Sequence, residues 1–301
     1  MRKLFFATFV ASVAFAGSAN AELNVFACEP EWGALASEIG GDKVSVYTAT
    51  TGAQDPHQIQ ARPSLIAKAR AADVAVCTGA ELEIGWLPMI AQQSANAKLQ
   101  AGQPGYFEAS SFVQLLEVPT RLDRADGDVH AAGNPHIQTD PRNILIVAKP
   151  LSERFAELDP ANAATYAARY TDFAKRWNAA IIKWTAEAAP LKGMPVAVQH
   201  AGWIYMLNWL GLKQIAILEP KPSVPASSGY LAQVLETLSR QPVKMIIRAA
   251  YQDGRPSEFI AERAKAPAIA LPFTVGGTDE AKDLFSLYDD TIKRMKDAVK
   301  P

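Results

Sequence analysis

The chain is poor in several things that define common protein classes. It has no strong excess of either charge, with 30 basic and 31 acidic residues among 301. It lacks the basic surplus that attracts nucleic acid or an anionic membrane, and both are poor partners. After an N-terminal apolar run, LFFATFVASVAFAG at residues 4–17, no uninterrupted apolar stretch approaches the length needed to cross a bilayer. The Gly-rich Lys-Ser/Thr loop of nucleotide-driven proteins is missing, as is the His-Glu-x-x-His pair of many zinc hydrolases. Cysteine occurs only twice and histidine only four times.

The N-terminal run follows Met1-Arg2-Lys3 and ends at Ala19-Asn20-Ala21. A basic start, a short apolar core and small residues at the cleavage position predict a secretory signal over residues 1–21, with Glu22 as the mature N-terminus. No cysteine stands at that junction, so nothing there predicts a lipid anchor. Without Arg2 and Lys3 the count becomes 28 basic against 31 acidic residues, a charge of about −3 with histidine neutral. The expected product is soluble and exported, and its 280 residues suffice for two lobes with buried cores.

Short β-like runs alternate with helix-like stretches in each half. Strands are expected at residues 23–27, 44–47, 73–77 and 106–109, with helices at 32–39, 63–70 and within 86–97. The pattern restarts with strands at 195–199, 214–218, 243–247 and 268–271, a helix at 202–210 and a terminal helix within 280–298. This alternation predicts an α/β fold of two Rossmann-like lobes with parallel sheets, whose ligand-facing loops leave the strand ends. Tyr166, Tyr170, Phe173, Trp177, Ile181 and Trp184 recur at helical spacing. They predict a long rigid helix, opened by Asp159-Pro160, that joins the lobes. The expected domains are a first lobe at 22–158, the interlobe helix at 159–189 and a second lobe at 190–301. Cys28 and Cys77 each close a strand; a disulfide is feasible if the two strands are neighbours, and two separate buried thiols are the alternative.

Three of the four histidines stand beyond strands in polar or aromatic loops. His57 lies in Asp55-Pro56-His57, His136 in Asn134-Pro135-His136, and His200 directly after the strand at 195–199. Neutral imidazole is a favoured ligand of borderline metals, so this triplet points to capture of a metal ion. Each alone has an ordinary reading as a loop-stabilising or core-edge histidine. The fourth donor expected is Asp279, in Gly276-Gly277-Thr278-Asp279, although that carboxylate would also serve as a helix cap. Glu219, after another strand, competes with it. His130 either enters the inner shell, guides the ion from a mobile loop or faces solvent; Asp123, Asp126 and Asp128 beside it either raise the local cation concentration or form a plain polar surface.

On these motifs, and over nearly the whole mature chain, the sequence resembles the zinc and manganese solute-binding proteins of bacterial ABC transporters. The residues carrying the resemblance are Asp55-Pro56-His57, Gly133-Asn134-Pro135-His136, the long helix, His200, the Gly-Gly-Thr-Asp segment and Leu287-Tyr288-Asp289-Asp290. It implies a metal site between two lobes, with His57, His136, His200 and Asp279 as ligands, and no catalytic turnover. Within the family the chain looks most like the zinc-specific branch, but lacks the long histidine- and acid-rich loop of some members. The implied role is zinc capture in the periplasm and delivery, as a monomer, to a cognate ABC permease, with a zinc metallochaperone as a further partner. Manganese is the less favoured cargo. A structural metalloprotein or adhesin and an exported zinc hydrolase are the other readings.

Overall fold

The computed structural model describes residues 22–121, 130–222 and 224–300. The expected signal segment lies outside the described residues, as do Asp123, Asp126 and Asp128. In the first lobe β1 (Leu23–Ala27), β2 (Val44–Thr48), β3 (Val74–Cys77) and β4 (Tyr106–Glu108) form a sheet in the order β2-β1-β3-β4. The second lobe repeats that order as β6-β5-β7-β8, from β5 (Pro195–Val198), β6 (Lys213–Ile217), β7 (Met245–Ala249) and β8 (Ala268–Leu271). All six pairings are parallel. Parallel strands need crossovers, and helices α1 (Pro30–Gly40), α2 (Pro63–Ala71) and α3 (Leu87–Ser94) supply them in the first lobe. In the second, α6 (Ile204–Leu210), α7 (Ser228–Arg240) and α8 (Arg255–Ala264) do the same.

Because the chain leaves β1 for β2 on one side and reaches β3 on the other, loops diverge beyond the carboxyl ends of β1 and β3, which is where open parallel sheets bind ligands. Cys28 and Cys77 follow and end those two neighbouring strands, and they are joined by a disulfide with Cα atoms 4.8 Å apart. The choice left open by sequence is decided by strand adjacency alone.

Helix α4 (Pro141–Leu158) and helix α5 (Ala163–Ala188) connect the lobes. Helix α5 buries Tyr166, Phe173, Trp177, Trp184 and Ala188 on one face and packs on α4, α1 and the terminal helix α9 (Leu284–Ala298). Truncating a buried tryptophan costs about 3–5 kcal/mol, so this aromatic face carries much of the interlobe packing. The helix begins four residues later than Asp159-Pro160 suggests. Pro160 disfavours helical backbone at Asp159, which instead caps the end of α4 and accepts from Asn162 Nδ2 and Tyr166 Oη at 2.6 and 2.8 Å.

One apolar core runs through both lobes, joining Trp32 and Val76 of the first to Met245 and Tyr288 of the second. Tyr288 donates to the Gln138 carbonyl across that junction, and the Glu31 carboxyl is bonded to the Thr274 hydroxyl. Gly52 leans on the Gly276–Gly277 backbone so closely that a Cβ would lie 2.3 Å from the Gly276 carbonyl carbon. The two glycines before Thr278 thus meet the first lobe's backbone.

Candidate metal centre

Two of the three histidine loops are built by the same local device. In Asp55-Pro56-His57, Asp55 Oδ1 accepts from the His57 backbone N–H at 3.0 Å and pairs with His57 Nδ1 at 2.8 Å. In Asn134-Pro135-His136, Asn134 Oδ1 does the same at 3.1 and 2.8 Å. A short acceptor side chain closes a turn onto the residue two positions on, and the intervening proline restricts the backbone while offering no competing N–H. Trp86 Nε1 then donates to the Pro56 carbonyl at 2.9 Å, and Tyr205 Oη to the Asn134 carbonyl at 2.6 Å. Gly133, at φ 120°, brings the second turn against Leu115 and Leu116 where a Cβ would clash. His200 follows β5 and is held differently, its Nδ1 lying 2.8 Å from Glu219 Oε2 at the end of β6.

These bonds decide which nitrogen faces inward. The Asn134 NH2 donates to the Ala201 carbonyl and to Glu117 Oε2 at 2.7 and 2.8 Å, so its oxygen is the atom facing His136. That oxygen only accepts, and therefore His136 Nδ1 carries the hydrogen and Nε2 the lone pair. Burial, then His57, His200 and His130, push the His136 pKa well below the ordinary 6.5. It is a neutral imidazole, the form that binds metal. Nε2 of His57, His136 and His200 is in every case buried with no hydrogen-bond partner.

One donor atom from each of the three lies within 4.8 Å of the other two, and all three residues are buried. Their ring centroids are 5.2–5.7 Å apart. Zinc–nitrogen bonds of about 2.0–2.1 Å in a tetrahedron need nitrogens roughly 3.3 Å apart, so a small inward movement closes the group around one ion. His57 and His136 come from the first lobe and His200 from the second. A cleft of about 780 Å³, reaching Gln58, Gln199 and Tyr251, opens onto His57 and His200.

Asp279 is not part of this group. It is exposed in a turn of the Gly-Gly-Thr segment, closed by a bond from Gly276 N–H to the Ala281 carbonyl. The cap function belongs to Asp283, which forms a reciprocal box with Ser286 at the start of α9. Glu219 supports His200, and Asp55 and Asn134 give His57 and His136 the same service. Sequence reasoning passed over Asp55 and Asn134 as supports, although the repeated acceptor-Pro-His spacing carries that signal. His130 is half-buried, its ring tilted beside His57 and edge-on to His136.

The family model for the periplasmic zinc-uptake complex component A matches residues 25–298. A manganese ABC transporter substrate-binding lipoprotein, PsaA of Streptococcus anginosus, is 22% identical over 260 residues, covering 84% of this chain and 81% of the relative. The metal ABC transporter substrate-binding lipoprotein ScbA of Streptococcus cristatus is likewise 22% identical, covering 89% and 85%. A crystal structure of ZnuA shares the fold at TM-score 0.77 and 22% identity, over 93% of this chain and all of the other. The cadmium-bound periplasmic metal binding protein of candidatus liberibacter asiaticus does so at 0.76 and 18%, with the same coverage. With two α/β lobes, a long joining helix and a match over nearly its whole length, this chain belongs to the periplasmic zinc-uptake component A family, whose members are transport binding proteins and not enzymes.

Proposed function

We propose that this protein captures zinc in the periplasm, holds it between its lobes on His57, His136 and His200, and passes it as a monomer to the permease of an ABC transporter. The observation supporting this is the set of three buried, partnerless Nε2 atoms within reach of one ion. Buried polar atoms are ordinarily paired, and three orphans facing one another are accounted for by a cation that accepts their lone pairs. Metal binding to the core of both lobes would favour one closed arrangement, a feature a permease can distinguish from the empty protein.

Zinc is favoured because an all-imidazole triplet suits its nitrogen preference and four-coordinate geometry, whereas manganese prefers more oxygen ligands. The manganese relatives supply the competing reading, and the position of Asp279 outside the group counts against it here. A periplasmic metallochaperone is a fitting donor for a site reached through the cleft beside His57. Zinc and manganese titrations of metal-free mature protein, with direct metal counting, test the proposal. One tight zinc site with manganese bound far more weakly is the expected result; tighter manganese binding would reverse the assignment. Zinc that cannot be withdrawn by a competing chelator without unfolding would instead mark a structural metal.

A further inference from the structure

We propose that a second cation site, separate from the histidines, lies in a small cavity between the lobes and takes a hard, oxygen-seeking ion of the calcium class. The cavity measures about 10 Å³. Glu29, Glu31, Thr50 and Gln138 of the first lobe line it together with Tyr251 and Thr274 of the second. That is room for about one water-sized occupant. Two of the lining oxygens, Glu29 Oε1 and Gln138 Oε1, are buried with no hydrogen-bond partner. They come from segments far apart in the chain and border one space, so a single occupant can serve both.

The charge around the cavity argues for a cation over water alone. Burial, with the charges of Glu83 and Glu31, pushes Glu29 well above the usual carboxylate range, and burial holds Glu31 at about 7. Among the described residues neither carboxyl is bonded to a lysine, arginine or histidine; Glu29 accepts from the Thr78 hydroxyl and Glu31 from that of Thr274. Buried charges are ordinarily paired or bound to a metal. A water would satisfy the two orphan oxygens without offsetting that charge. The donors at hand are all oxygen, a set that disfavours the borderline ions suited to imidazole. The Thr50 hydroxyl donates to the Cys28 carbonyl at 2.8 Å and keeps its lone pairs for an ion. An ion so confined has shed its water, which magnesium does reluctantly, whereas calcium accepts irregular shells of carboxylate and amide oxygens. The two lining carboxyls match its double charge. Because Thr274 and Tyr251 belong to the second lobe, such an ion ties the lobes together without touching the imidazoles.

The test uses metal-free mature protein, melted in calcium, magnesium or choline chloride at equal ionic strength, with bound calcium counted after equilibrium dialysis. Extracellular calcium sites work at roughly 0.1–1 mM, so about 10 mM calcium should raise the melting temperature by about 3 °C or more. Magnesium and choline should do much less, and one calcium should be bound per chain. Glu29→Gln and Gln138→Met should each lose both the shift and the ion, while His136→Ala should keep them. A melt that calcium moves no further than choline would leave the cavity to a water molecule and overturn the proposal. A shift retained in both Glu29→Gln and Gln138→Met, or lost in His136→Ala, would place the calcium elsewhere and overturn it as well. Zinc binding is not read in these melts, so either failure leaves the histidine site standing.

Discussion

Two clusters of buried ionisable groups lie beyond the carboxyl ends of the strands, and they are satisfied in opposite ways. The imidazoles of His57, His136 and His200 each spend Nδ1 on an outer acceptor and keep Nε2 partnerless, facing a common space. The carboxyls of Glu29, Glu31 and Glu83 are bound mainly to the protein itself. Glu83 accepts from the backbone N–H groups of Thr78 and Gly79 at 2.7 and 3.1 Å, Glu29 from the Thr78 hydroxyl at 3.1 Å, and Glu31 from Thr274 of the other lobe. Burial, with mutual repulsion, pushes Glu29 well up, and burial pushes Glu31 and Glu83 to about 7. Apart from Glu29 Oε1, which has no partner, that cluster is satisfied from within the protein, whereas an added cation would complete the histidines. In the proposed reading the first cluster binds the ion, and the second holds the first lobe and its contact with the other.

The sharpest way to break this contrast is to truncate one member of each. His136→Ala should weaken zinc binding on the order of 1000-fold, well beyond the 10–100-fold loss typical of a supporting residue, while the metal-free protein melts no lower than wild type. Comparable zinc affinity in that variant would detach binding from the imidazoles. Glu83→Ala should do the converse. It strips two buried N–H groups of their acceptor, at a cost of about 2–4 kcal/mol in denaturant unfolding, with zinc affinity changed by less than about threefold. If stability held and binding fell, the carboxyls would belong to the site.

A smaller difference should appear in the pH dependence of metal-free stability. Folding lowers the His136 pKa from 6.5, so its contribution is whole above pH 6.5 and is lost as pH falls. Folding raises Glu31 and Glu83 from 4.5 to about 7, so theirs is whole below pH 4.5 and is lost as pH rises through 7. The slopes oppose each other between pH 4.5 and 6.5. Thermal melts across that window should show stability declining more steeply with pH in His136→Ala than in wild type, and less steeply in Glu31→Gln. Parallel curves for the two variants would cancel the distinction. The smallest effect expected is that of Asp279→Ala, an exposed change outside both clusters: within about 0.5 kcal/mol in stability and without loss of zinc binding on titration. A marked loss would return that carboxylate to the shell.

The layers of this fold were legible because parallel strands buried on both faces leave short apolar runs, and the aromatic stripe of α5 has a period that only a helix satisfies. The boundary at Asp159 was not, since a residue that ends one helix looks like one that begins the next. The histidines stood out by scarcity and by their positions after strands. The roles of Asp55, Asn134 and Glu219 were hidden because an acceptor beside a histidine, as at Asp55 and Asn134, can face the ion or the far side of the ring, and Glu219 meets His200 only because β5 and β6 are neighbours. The triple-glutamate cluster escaped notice too: Glu83 is 54 residues beyond Glu29, and nothing local announces their burial.

Residue order alone therefore established two α/β lobes, the helix that joins them and three imidazoles suited to a metal, because periodicity and ligand type are properties of short segments. It left open the bonding of Cys28 to Cys77 and the approach of His130 to His57, and Asp279, its expected ligand, lies exposed outside the group of three histidine donors. Those depend on which strands become neighbours and how the lobes close on each other, and such long-range contacts fix distances that no local pattern contains.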